Sequence, residues 1–256
     1  MERLNVRMLL LELTRQCNLE CMHCFRGESE NKYMSVDIIE KVLKNTARVN
    51  TFLITGGEPF LAKEQLNKIA SILKEDKINI RDFIIVTNGT ILTDELLNIL
   101  FLLSEKTYLE LRISIDKFHI LELEKRNLLE TRNKNIDFLK KYFTVVEELP
   151  NDKVYLIDKV GRAANLTDKD LEYINNVGDK TVKYIFSNNL ILQKYRETYP
   201  LPRLIEDNVV DGSLNIDVNG NITPTYYSFE SEDNSNYSNV RGNKTLKKAI
   251  TNIKHL

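Results

Sequence analysis

Two hydrophobic rhythms alternate along this chain. Val6 to Leu13, Thr51 to Thr55, Phe83 to Val86 and Leu109 to Ile115 are short, nearly continuous apolar runs. Runs of that length, ended by polar or turn residues, predict buried strands. Between them the apolar positions recur at helical spacing. Ile39, Val42, Leu43 and Ala47 follow a candidate cap at Ser35, Leu66, Ile69, Ala70 and Leu73 form a second face, and Thr93 precedes a leucine-rich third. Strand–helix alternation of this kind predicts βα units around a parallel sheet.

Past Asp116 the rhythm loosens. A charged helical stretch is expected from about Leu121 to Phe143, a strand at Val154 to Ile157 leading into Gly161-Arg162-Ala163, a helix from Thr167 through Ile174, and a strand near Val182 to Phe186. These make roughly six βα units, a partial TIM-like (βα)6 barrel short of the eight that close one. From about Leu201 the pattern changes again. Leu214 to Val218 alternates, Asn219-Gly220 suggests a two-residue hairpin turn, Asn221 to Tyr227 returns, and a last helix starts near Asn243. The expected division is a barrel core over 1–200 and a small hairpin-plus-helix extension over 201–256.

Composition narrows the class. The 256 residues are 42% hydrophobic and 29% charged, as in an ordinary globular protein, and the formal net charge of −1 offers no global attraction to nucleic acid or an anionic membrane. The N-terminus lacks the basic, apolar and small-residue order of a signal peptide, and no apolar run approaches a membrane span. Unpaired cysteines and no export signal point to the cytoplasm.

Those cysteines carry the chemistry. The chain has only three, Cys17, Cys21 and Cys24, in a C-x3-C-x2-C run directly after the first strand. Three thiolates can hold three corners of an iron–sulfur cube and leave one iron open. A structural zinc site would need a fourth ligand, and only His23, inside the run, is near; a disulfide framework needs an even count. Burial as ordinary core thiols is the remaining alternative. Other polar clusters also fall at strand ends: Gly56-Gly57-Glu58-Pro59, Thr87-Asn88-Gly89, Ser114 with Asp116, and Gly161-Arg162. In parallel α/β folds that edge is where ligands bind.

The cysteine run and the Gly-Gly-Glu-Pro element, in this order after successive strands, resemble the radical S-adenosylmethionine (SAM) enzymes over about residues 6–165. The resemblance implies that Cys17, Cys21 and Cys24 hold a 4Fe–4S cluster whose fourth iron is chelated by SAM, and that an electron from the cluster cleaves SAM to a 5′-deoxyadenosyl radical that abstracts hydrogen from substrate. It implies SAM-binding roles for Gly56, Gly57, Glu58 and Pro59 at the methionine end, Ser114 and Asp116 at the ribose and carboxylate, Arg162 as a carboxylate clamp, and the backbone of His23 near adenine. It also implies a reducing electron donor such as flavodoxin or ferredoxin. No catalytic protein side chain is named by it.

The tail, Asp217 to Thr225 and then Gly242 to Leu246, resembles the SPASM or twitch extension of peptide-modifying members, with Thr225 where a cluster-binding cysteine usually stands. With all three thiols committed, branches that need auxiliary clusters or a catalytic cysteine are disfavoured. The expected substrate is a peptide or another small molecule, with no nucleic acid or membrane partner. A glycyl-radical enzyme activase and a non-catalytic iron–sulfur or SAM-binding protein are the alternatives.

Overall fold

The computed structural model describes residues 3–147, 154–178, 180–187, 202–223, 238–243 and 245–253. Five strands alternate with helices through the first half: β1 (Leu4–Glu12), β2 (Thr46–Thr55), β3 (Asn79–Thr87), β4 (Tyr108–Ile113) and β5 (Thr144–Val146). They lie side by side in chain order, each parallel to the next. The intervening helices are α1 (Val36–Lys44), α2 (Lys63–Glu75), α3 (Asp94–Ser104), α4 (Lys117–Lys125) and α5 (Leu129–Leu139). β6 (Val154–Ile157), α6 (Asp168–Asn176) and β7 (Lys183–Phe186) follow, with β6 and β7 paired parallel as a separate two-stranded sheet. This is the mostly parallel α/β partial barrel that the alternation predicts.

Local chemistry sets these elements. Ser35 accepts from the backbone N–H of Asp37, Thr93 from Leu96, and Thr167 forms a capping box with Asp170. α1 buries Ile38, Ile39, Val42 and Leu43 against the sheet, each burial contributing about 2 kcal/mol. The core is continuous through Leu9, Leu11, Phe52, Ile54, Phe83 and Ile85. No described helix is long and apolar enough to cross a membrane.

The structure departs from the sequence expectations in four places. Ala47, expected on the first helix, lies in β2, which starts at Thr46, five residues earlier than the apolar run suggests. The long helix over 121–143 is two helices, broken where Asn127 takes a left-handed φ of 56°. β5, three residues long, was not anticipated.

The fourth difference concerns the tail. β8 (Arg203–Leu204), β9 (Val209–Ile216) and β10 (Ile222–Thr223) enter the main sheet, where β9 runs parallel to β1 on the side away from β2. The segment past residue 201 thus supplies a sixth parallel strand to the core sheet. β10 returns antiparallel to β9, as a hairpin should, but not through a two-residue Asn219-Gly220 turn. Gly220 N–H donates to the Asp217 carbonyl, Asp217 N–H to that of Asn221, and only Gly220 has a positive φ (86°), which is a type I turn with a glycine bulge. Asp217 decides this: its Oδ1 accepts from the backbone of Asn219 and Asn221, both at 2.8 Å. The last described helix, α7 (Leu246–Thr251), is capped by Thr245. Thr225 and the return strand beyond Thr223 lie outside the described residues.

Candidate active site

The C-terminal ends of β1 to β4 and of β6 surround a cavity of about 570 Å³. Cys17, Cys21 and Cys24 are all on its wall, with His23, Gly56, Gly57, Ser114, Asp116 and Arg162. Five strand-end segments far apart in sequence thereby converge as their placement predicts. Glu58 and Pro59 are not on the wall. Glu58 is 1% exposed and sits behind it, accepting from Phe60 N–H (2.9 Å), the Thr87 hydroxyl (2.7 Å) and Asn88 N–H (2.7 Å). Its carboxylate joins the ends of β2 and β3; Pro59 opens the short 3-10 turn that follows.

The glycines have a packing reason. A Cβ on Gly57 would stand 2.3 Å from the Gln16 carbonyl oxygen, and one on Gly56 would stand 2.5 Å from that of Thr14. Gly57 N–H donates to the Thr14 carbonyl and Glu58 N–H to that of Gln16, so the Gly-Gly turn is pressed against the chain just before Cys17. The cysteine loop is pinned from other sides as well. Arg162 donates from Nε to the Cys21 carbonyl (3.0 Å) and from its backbone to that of Cys24 (2.9 Å). Glu122 on α4 accepts from Glu20 N–H (3.2 Å).

Asn18 and Asn88 were not singled out for this role from the sequence. Asn88 Nδ2 donates to Asn18 Oδ1 (2.9 Å), Asn18 Nδ2 to the Thr90 hydroxyl (2.8 Å), and Asn88 Oδ1 accepts from Thr90, closing a polar ring between the cysteine loop and the β3 end. An Asn inside the cysteine run and another before Gly89 were its only sequence signals. His119 is on the cavity wall beside Asp116.

The electrostatics follow from burial. Desolvation, then the nearby Glu58 carboxylate, pushes the Cys17 thiol up to about 12. Without metal it is therefore a neutral thiol at ordinary pH, and metal binding there must release a proton. Asp116 is fully buried, which opposes its charge, yet His119 and His23 outweigh this and hold its carboxyl well below the usual range. Burial likewise opposes charge on His119, and Asp116 foremost lifts it well above the usual imidazole value.

The donor set fits a cluster with an exchangeable ligand. Three thiols share one cavity wall without a disulfide. Two buried polar atoms in wall residues lack hydrogen-bond partners, His23 Nδ1 and Arg162 Nη1, the latter 3.6 Å from Glu28. Such atoms suit a bound group that brings acceptors of its own.

The family model for the Radical SAM superfamily matches residues 11–149. A probable GTP 3′,8-cyclase of Methanococcus vannielii is 37% identical over 92 residues, 34% of this chain and 30% of that protein. The GTP 3′,8-cyclase of Aquifex aeolicus is 24% identical over 233 residues, 80% of this chain and 70% of its own. The chain thus spans 30% of the first two curated relatives it matches. Among solved structures, anSMEcpe with AdoMet and a Cp18Cys peptide aligns at 16% identity and a TM-score of 0.48 over 88% of this chain and 75% of that one. Streptococcus suis SuiB bound to precursor peptide SuiA aligns at 17% and 0.45 over 98% and 67%. Since the family model covers more than half of the sequence, including all three cysteines, the chain belongs to the radical SAM superfamily, whose members use a 4Fe–4S cluster and S-adenosylmethionine.

Proposed function

We propose that this chain is a cytoplasmic, single-cluster radical SAM enzyme that acts on a peptide. One observation carries the reading: its only three cysteines meet on one wall of a cavity at the C-terminal edge of a parallel sheet. When bound, the cluster and SAM supply a 5′-deoxyadenosyl radical for hydrogen abstraction from the substrate. The protein's part is placement. Cys17, Cys21 and Cys24 hold the irons, and the loop that carries them is fixed by Gly57, Arg162, Asn88 and Glu122. Gly56, Gly57 and Ser114 line the place for the methionine end, and Arg162 offers Nη1 to its carboxylate. His23, also on that wall, would offer its backbone to adenine. A low-potential donor of the flavodoxin or ferredoxin kind supplies the electron.

The peptide assignment rests on the resemblance of the tail and on the charge of the cavity. The arginines on its wall are Arg26, Arg112 and Arg162. Arg26 pairs with buried Glu12, Arg112 with Glu110, and Arg162 donates to the Cys21 carbonyl. The same cavity is lined by Ile113, Ile115, Val146, Leu156 and Ile157. That wall suits an uncharged or apolar substrate group better than a polyphosphate. The GTP 3′,8-cyclase relatives favour a second reading, a purine nucleotide substrate.

The two separate cleanly. Reduced, reconstituted protein is given SAM with either GTP or a short precursor peptide encoded beside its gene, and 5′-deoxyadenosine and substrate mass are followed. Peptide-dependent deoxyadenosine with a changed peptide mass supports the proposal; GTP consumption replaces it with the nucleotide reading. SAM binding without cleavage would mean a non-catalytic member.

A further inference from the structure

The inward face of the barrel changes character between β4 and β5. Leu109, Leu111 and Ile113 of β4 belong to the main core, so by strand alternation Glu110 and Arg112 point the other way, into the barrel. Arg112 is on the cavity wall, and its register partner on β5 is Val146, an apolar residue on the same wall. β6 and β7 carry the change further. Ile157 and Tyr184 are buried with Leu171 and Ile174 of α6, and Tyr155 packs against the same group. The alternate positions of these two strands, Val154, Leu156 and Ile185, therefore turn away from α6. Leu156 pairs in register with Ile185, and Val154 shares its face two residues earlier, so the three are contiguous.

Their exposures are 42% for Val154 and 37% for each of Leu156 and Ile185. A lone apolar residue open to water is ordinary on a protein surface, whereas adjoining ones mark a binding surface. Core packing does not account for this strip, because the buried cluster of the two-stranded sheet is on its other face. Leu156 is on the cavity wall, and Val154 and Ile185 continue the strip beyond it. The strip is thus continuous with the space in which a substrate must meet the radical, and its occupant is part of that substrate.

We propose that Val154, Leu156 and Ile185 form a specificity subsite that takes one large apolar side chain, branched aliphatic or aromatic, of the peptide substrate. Seating that side chain sets which neighbouring residue of the peptide enters the cavity. The subsite rests on the peptide reading above and narrows it to peptides that carry such a residue beside the one modified.

The test uses reconstituted full-length protein, SAM and the precursor peptide encoded beside its gene, with each large apolar residue of the peptide replaced in turn by Ser. For the wild type, one of these replacements should raise KM about tenfold and leave kcat within about twofold. Leu156→Ser and Ile185→Ser, each loaded with iron, should raise KM for the unaltered peptide about tenfold. They should lose little more when given the peptide altered at that one residue. Such non-additivity is what direct contact gives and a general weakening of the fold does not. If a Ser variant does not fold or hold iron, Leu156→Phe is read instead. It keeps the strip apolar but fills the space, so KM should rise for the unaltered peptide and recover when that peptide residue is cut back to Ala. An unchanged KM in the loaded variants, or losses that simply add, would overturn the proposal. A wild type that leaves the mass of the peptide unchanged would instead refute the peptide reading, and the subsite would fall with it.

Discussion

Glu12 accepts a hydrogen bond through Oε2 from the backbone N–H of Val218 at 3.1 Å, while its Oε1 pairs with Arg26. Val218 belongs to the tail turn, and Arg26 follows the cysteine loop by two residues. One fully buried carboxylate at the end of β1 therefore joins the C-terminal hairpin to the segment that carries the cluster ligands. The pair is not a surface ornament: Arg26 is 7% exposed, and Arg15 approaches the same oxygen at 3.8 Å.

Glu12→Gln keeps the shape and the acceptor for Val218 but removes the charge that balances Arg26. Leaving a buried guanidinium short of its partner costs about 3 kcal/mol. Thermal denaturation should show a melting temperature lower by roughly 5–10 °C. Circular dichroism and a scanning calorimeter check this, and an unchanged midpoint contradicts it.

Gly57→Ala places a methyl group 2.3 Å from the Gln16 oxygen and 2.9 Å from that of Arg15, both main-chain atoms with little room to yield. Overpacking of this kind costs about 1–3 kcal/mol. The displaced segment is the one that leads into Cys17. Loss of melting temperature should thus be accompanied by faster iron loss to a chelator, a pairing that a purely global effect at a distant site would not produce.

Glu58 carries a pH dependence of definite sign. Burial holds its carboxyl above the usual glutamate range, with the Asn88, Phe60 and Thr87 donors pulling back part of the way. A folded value above the unfolded one means that protonation favours the fold. That contribution is fully present below the unfolded value and disappears as pH rises through the folded one. Glu58→Gln cannot ionise and lacks it. Denaturant midpoints from about pH 4 to about pH 8 should show the wild type losing ground to the variant as pH rises; a parallel pair of curves contradicts this.

Arg162→Ala removes the Nε–H that holds the Cys21 carbonyl and the open Nη1 together. Loss of one hydrogen bond from a charged donor costs about 1.5–3 kcal/mol. Iron release to a chelator should accelerate and SAM affinity should fall, each roughly tenfold. Arg162→Lys keeps the charge without the fork and should recover little of either. Loss of SAM affinity alone would confine the residue to the ligand.

How much of this was legible depends on whether the signal was local. β1 to β4 announce themselves because each apolar run is bounded by a cap or turn residue. The caps at Ser35, Thr93 and Thr167 act on donors two or three residues away. β5 has three residues, too few for any period to show. The helix break at Asn127 was hidden because charged residues continue on both sides. Asn219-Gly220 favoured the shorter turn on local statistics, but the Asp217 carboxylate, two residues back, selected the bulged one. The pairing of β9 with β1 spans about two hundred residues and leaves no trace in spacing. At the site, residue types and order located the wall, whereas the sequence did not reveal that Glu58 stands behind it, nor that Asp116 is held by two imidazoles.

The account depends on three thiols sharing one cluster that cleaves SAM. The most direct measurement is 5′-deoxyadenosine formed by anaerobically reconstituted, reduced protein, alongside Cys17→Ala, Cys21→Ala and Cys24→Ala. The wild type should carry about four irons and release deoxyadenosine. Each variant should keep its circular dichroism spectrum and form none. A wild type that stays colourless after iron and sulfide, or product from any variant lacking one of the three thiols, would contradict it.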